Sequence, residues 1–109
     1  MDWQQQLLAI VNEINIHVYN NLQLIIQLLD DEMVTGISFV QYEGGVTLMW
    51  SGHCLYVTVW EEIEDETIYD LVIFNKDALL SIRSQLQTDS AAEIVRMIRK
   101  YFKNNNITN

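Results

Sequence analysis

Five carboxylates fall within six residues at Glu61-Glu62-Ile63-Glu64-Asp65-Glu66, and three more stand together at Asp30-Asp31-Glu32. Acids so grouped can hold a hard cation, exchange protons with a substrate, or meet a basic surface. Calcium is poorly served, because the longer run lacks both the glycine and the regular alternation of an EF-hand loop. Nuclease-type hydrolysis sets a lysine close to metal-binding acids; Lys76 follows Asp70 by six residues and adjoins Asp77, and neither spacing forms a defensible motif. His53-Cys54 suggests a base and a nucleophile, but neighbours on a strand point to opposite faces, beyond hydrogen-bond reach of each other. Cys54 fits better as a small buried side chain near a strand start, and His53 as a turn residue. His17 lacks a second histidine at metal-pair spacing and reads as exposed. Gly36, Gly44, Gly45 and Gly52 suit strand ends and turns rather than a phosphate loop. These patterns lead to the expectation of a protein that is not an enzyme and needs neither metal nor cofactor.

What remains is the charge itself, and it is unevenly placed. Twelve carboxylates and no Lys or Arg precede Lys76; from there on, six bases face only Asp77, Asp89 and Glu93. The net charge of −9 therefore describes an acidic body with a basic tail. Such a body repels nucleic acid and anionic membranes and attracts a basic protein partner over about 8 Å at physiological salt. Arg96, Arg99, Lys100 and Lys103 form a stripe in the tail that is expected to be solvated or paired with the chain's own acids.

A chain of 109 residues suits one domain, taken as 1–109 with a frayed tail at 104–109, and is long enough to bury a sizeable core. Half of its residues are hydrophobic, which argues against disorder despite the charge. Cys54 is the only cysteine, so no internal disulfide can form. The start Met1-Asp2-Trp3-Gln4 has no basic region, and Leu7–Val11 is too short for a signal core, so a cytoplasmic location is expected. The apolar run Leu22–Leu29, broken by Gln23 and Gln27, cannot span a bilayer, and the glycosylation triplet Asn106-Ile107-Thr108 is expected to be idle.

The elements that must position these residues follow from periodicity. Residues 2–29 read as one long helix with Leu7, Val11, Ile14, Val18, Leu22, Ile25 and Leu29 inward, a bend at Asn20-Asn21, and a second half apolar all round. At 1.5 Å per residue it would measure about 42 Å. Asp30-Asp31-Glu32 would follow it as loop residues, at the unfavourable negative end of its dipole. Residues 35–74 alternate with period two and predict a four-stranded antiparallel meander. One face collects Ile37, Phe39, Val46, Leu48, Trp50, Leu55, Val57, Val59, Tyr69, Leu71 and Ile73. The other collects Val40, Tyr42, Met49, Tyr56, Trp60, Ile68, Val72 and Phe74, and needs a cover from the C-terminal helices or from a second subunit. Asn75 is read as the cap of a helix carrying Leu79, Ile82 and Leu86, and Ser90–Glu93 as the capping box of a last helix.

The fold class expected is thus α+β: a long N-terminal helix, four antiparallel strands in meander order, and two C-terminal helices. The expected function is that of a non-catalytic inhibitor covering a basic functional surface, as immunity proteins, antitoxins and DNA-mimicking anti-defence proteins do. Glu61, Glu62, Glu64, Asp65 and Glu66 would steer the encounter, with Asp30, Asp31 and Glu32 as a second acidic group. Trp60 and Tyr56 would provide the anchors. The alternative is a small homodimeric chaperone or adaptor that uses the apolar second face of the sheet.

Overall fold

The computed structural model describes residues 3–76 and 78–104, the side chains of 78–80 excepted. In chain order these form α1 (Trp3–Ile10), α2 (Ile16–Leu28), α3 (Asp31–Val34), β1 (Ile37–Tyr42), β2 (Gly45–Trp50), β3 (Leu55–Trp60), β4 (Tyr69–Asn75), β5 (Ala78–Thr88) and α4 (Ala91–Asn104). The class is α+β, with helices at both ends of one antiparallel sheet in the order β1-β2-β3-β4-β5.

The long helix expected over 2–29 is replaced by two shorter ones, α1 and α2. The break falls before Asn15 rather than at Asn20-Asn21: Asn15 takes an extended backbone, and its side chain accepts from the His17 N–H at 2.8 Å. A short polar side chain that bonds nearby backbone favours a cap over a helix interior. Length gives a second reason, because an unbroken helix of about 42 Å would exceed the molecule's longest dimension of 35 Å. Asn20 and Asn21 stay helical because Val18 and Leu22, on either side, are buried. The second half of α2, apolar all round, is not buried all round, since Leu24 and Leu28 are exposed while Ile25 and Ile26 are buried. Leu29 is extended and ends α2, so Asp30-Asp31-Glu32 open α3 instead of trailing as a loop. Their carboxylates thus lie at the favourable end of a helical turn.

The face assignment holds for the strands. Ile37, Val46, Leu48, Trp50, Leu55, Val57, Val59, Tyr69, Leu71 and Ile73 are buried in one core with Leu7, Val18, Leu22, Ile25, Ile94 and Ile98, and Phe39 packs half-buried against it. One-residue slips would expose that whole set, so the register is strongly specified. Trp50 fastens α3 to the sheet, its indole N–H donating to the Met33 carbonyl at 2.6 Å.

Asn75 caps no helix. Residues 78–88 form a fifth strand along β4, in which Ser84, Leu86 and Thr88 are half-buried while Gln85 and Gln87 are exposed. The helical spacing of Leu79, Ile82 and Leu86 is overridden by ladder hydrogen bonds that β4 would otherwise leave unmade. The last helix starts at its expected place, with Ser90 Oγ accepting from the Glu93 N–H at 3.2 Å. The return half of the capping box differs: Thr88 Oγ1 takes the Ser90 N–H at 3.1 Å and donates to Glu93 at 2.9 Å. The α4 side chains Ile94, Val95, Ile98, Tyr101 and Phe102 are buried on the same side of the sheet as α2. No described helix therefore covers the second face. Of the tail expected to fray at 104–109, Asn104 is the last residue of α4; residues 105–109, with the triplet at Asn106, lie outside the described residues, as does Asp77. No described helix is long and apolar enough to cross a membrane.

Candidate partner-binding site

The β3–β4 connection is a short extension of the hairpin. Ile63 and Glu66 exchange backbone hydrogen bonds of 3.1 and 2.9 Å across Glu64 and Asp65, whose φ angles are +53° and +65°. Two successive residues at positive φ make a type I′ turn, a geometry that Asn-Gly adopts readily and that side chains such as these resist. The chain thus holds two carboxylates at the tip in a conformation disfavoured for their type. At the base, the Glu61 N–H donates to the Gly44 carbonyl at 2.8 Å and the Trp60 N–H to the Ile68 carbonyl at 3.1 Å. These bonds bring the acidic connection beside the β1–β2 hairpin.

Trp60 lies over Gly45, its partner in the ladder. A Cβ at position 45 would come within 2.8 Å of the Trp60 ring and 2.9 Å of the Val59 carbonyl, so only glycine admits the indole there. The indole N–H donates to Asp70 Oδ2 at 2.6 Å, fixing the ring across β3 and β4. Between these groups runs an open cleft of about 410 Å³, with Trp60, Ile63 and Ile68 as apolar surface and Glu61, Glu62 and Asp70 as acidic walls. Ile63 is 62% exposed, a large apolar side chain left in water amid five acids.

The acidic run is not uniform. Glu62 turns toward α2, where its carboxylate lies 3.6 Å from His17 Nδ1 and accepts from Thr67 at 3.5 Å. Burial, and secondarily the Glu62 charge, push the Tyr69 hydroxyl above the ordinary tyrosine range. Glu61, Glu64, Asp65 and Glu66 are exposed and form no ion pair among the described residues. Tyr56 is separate from the cleft; it stands further along β3 on the second face, edge to face with Phe74 at 5.5 Å.

The other acidic group is elsewhere. His17, at the start of α2, touches Glu62, whereas Asp30 follows the far end of that helix of 13 residues. At 1.5 Å per residue the two clusters are about 18 Å apart along the axis. Arg99 of α4 occupies the far end, donating to the Leu28 carbonyl at 2.7 Å and lying 3.7 Å from Asp30. Asp30, Asp31 and Glu32 thus do not adjoin Glu61–Glu66.

His53 sits in its turn against the Tyr101 and Phe102 rings, at 6.2 and 5.8 Å, and Cys54 is half-buried rather than enclosed. Among the described residues, no three of His, Cys, Asp and Glu converge into a group that could hold a metal ion.

Sequence reasoning underrated Ile63, Ile68 and Asp70. The signal for Ile63 was available, since one isoleucine inside a run of five acids serves no solvation purpose. Asp70 could not be paired with Trp60 without the register. The chain matches no protein-family model, no curated protein and no solved structure.

Proposed function

We propose that this chain is a non-catalytic protein-binding module whose partner presents a basic surface. The observation that carries the reading is the Trp60 cleft, apolar along its floor and acidic along its walls. A lysine or arginine joins an aliphatic stem to a cationic head, and this lining suits both parts. Glu61, Glu64, Asp65 and Glu66 steer such a partner, and Trp60 with Ile63 holds it once docked. Covering a basic nucleic-acid-binding or catalytic surface is inhibition of the kind practised by immunity proteins, antitoxins and DNA-mimicking anti-defence proteins. The test is capture from the source cell's lysate at low and high salt, with wild type beside a variant carrying Glu61→Gln, Glu64→Gln, Asp65→Asn and Glu66→Gln. A basic protein held only by wild type, and released by salt, is the expected result. Equal retention by both proteins would make the loop a solubility device.

One observation favours a second reading, the homodimeric adaptor. At the outward positions of β1 to β4 and of Ile82–Gln87 in β5, Asp70 is the only charged residue among those described, and Trp60 already engages it. Two acidic copies could meet there without opposing charges. Sedimentation at micromolar concentration separates the readings: a salt-insensitive dimer favours the adaptor, a monomer the inhibitor.

A further inference from the structure

The basic residues of α4 and β5 divide into two groups. Arg99 is engaged with Leu28 and Asp30, and Arg96 lies 4.0 Å from Glu93. Arg83, Lys100 and Lys103 pair with no carboxylate among the described residues, and the first two line one cleft of about 260 Å³ between β5 and α4. This cleft is on the helical side of the sheet, beside Ile73, whereas the Trp60 cleft is at the other end of the strands.

Arg83 reaches the cleft through an irregularity in the ladder. Ile73 pairs with Ser84 but Phe74 pairs with Ile82, so Arg83 is an extra residue in β5. In an unbroken ladder residue 83 would follow Gln85 and Gln87 to the outward face. The bulge sets it on the helical side instead, exposed along the cleft, and bulges commonly re-aim a side chain beside functional sites. Lys100 approaches from α4 with Asn104 one turn later on the same face. Two cations that share a cleft repel one another, and a chain with fifteen carboxylates has placed none there among the described residues.

We propose that this cleft binds a small phosphate-bearing anion. The Arg83 guanidinium matches two phosphate oxygens as a fork, and Lys100 adds a compact charge. The Ser84 hydroxyl and the Asn104 amide offer neutral donors, while Ile73 and Met97 provide an apolar wall for the carbon side of an ester. The volume falls below the roughly 300–1,000 Å³ of drug-sized sites, which suits a phosphate with a short substituent and not a nucleotide. The net charge of −9 disfavours a polyanion, which would meet more of the acidic surface than a small dianion does.

The test is a ¹⁵N–¹H NMR titration of the full chain with inorganic phosphate and, separately, glycerol 3-phosphate, ionic strength being held constant with sodium chloride. Saturable shifts at Ser84, Lys100 and the Arg83 side chain are expected, with a dissociation constant on the order of 1 mM. Arg83→Gln and Lys100→Gln weaken binding about tenfold or more, and Lys103→Gln, on the same helix but outside the cleft, leaves it unchanged. Tighter binding of glycerol 3-phosphate assigns the site to an ester, and tighter binding of phosphate assigns it to the free ion. Shifts that never saturate, or that Lys103→Gln reduces as much as Arg83→Gln does, overturn the proposal.

Discussion

The two acidic clusters sit at opposite ends of α2, and the rest of the chain treats them differently. Asp30-Asp31-Glu32 opens a helix whose backbone favours negative charge, and Arg99 stands beside Asp30. The Glu61–Glu66 run has one member turned toward α2, Glu62, and four exposed, of which Glu61 lines a cleft with an apolar floor. At the first cluster one carboxylate, Asp30, has a basic partner, while Asp31 and Glu32 are exposed in the first turn of α3. At the second, charge is held at the tip by two residues at positive φ, a conformation that costs stability. In the function proposed above, the site is marked by the exposed apolar group among the charges, Ile63 beside Trp60, rather than by charge density alone.

Substitutions can break this contrast, the largest effect coming from the cleft floor. Gly45→Ala forces a methyl into the Trp60 ring and the Val59 carbonyl. It is expected to lower unfolding stability by about 2 kcal/mol and to weaken partner binding, read by chemical denaturation and by titration with the captured protein. Glu64→Asn with Asp65→Gly should raise stability by about 1 kcal/mol by relieving the type I′ turn; an unchanged denaturation midpoint would show that the turn stores no strain. Arg99→Ala should cost about 0.5–1 kcal/mol, the loss of a partly exposed charged hydrogen bond and pair. Neutralising Glu61, Glu64, Asp65 and Glu66 singly should move stability by no more than about 0.5 kcal/mol each.

The smallest effect sharpens the division within the acidic run. Tyr69 has a folded-state pKa above its unfolded value of about 10. Its hydroxyl contributes stability that is fully present below that unfolded value and is lost as pH rises through the folded one. Wild type should therefore lose stability above about pH 10, and Tyr69→Phe should lose less. Glu62→Gln should bring the Tyr69 titration part of the way back, because burial is the larger cause and remains.

The sheet was legible because its inward residues recur every second position, and a slip of one would expose all of them. Four of its five strands and the facing of Trp60 followed from that pattern. The fifth did not, because Leu79, Ile82 and Leu86 stand at helical intervals; the alternation that competes with it, from Ser84 to Thr88, is mostly polar. The division of the N-terminal helix was hidden for a related reason. The apolar spacing runs straight through the break, and only the Asn15 cap marks it. Of the candidate site, the acids and Trp60 were readable from composition and alternation. The Trp60–Asp70 bond, the fit of the indole over Gly45, and the distance between the clusters depend on register and on how α2 lies across the sheet.

The central claim is that one acidic cluster docks a basic partner and the other does not. Its most direct test is the association rate of the captured protein at low salt, by stopped flow, with two variants. One neutralises Glu61, Glu64, Asp65 and Glu66; the other carries Asp31→Asn and Glu32→Gln. Slowing of about tenfold or more by the first, with the second within about twofold of wild type, is the predicted result. Slowing by both variants in proportion to the number of charges removed would mean that only net charge matters, and would contradict the assignment of the site to the Trp60 cleft.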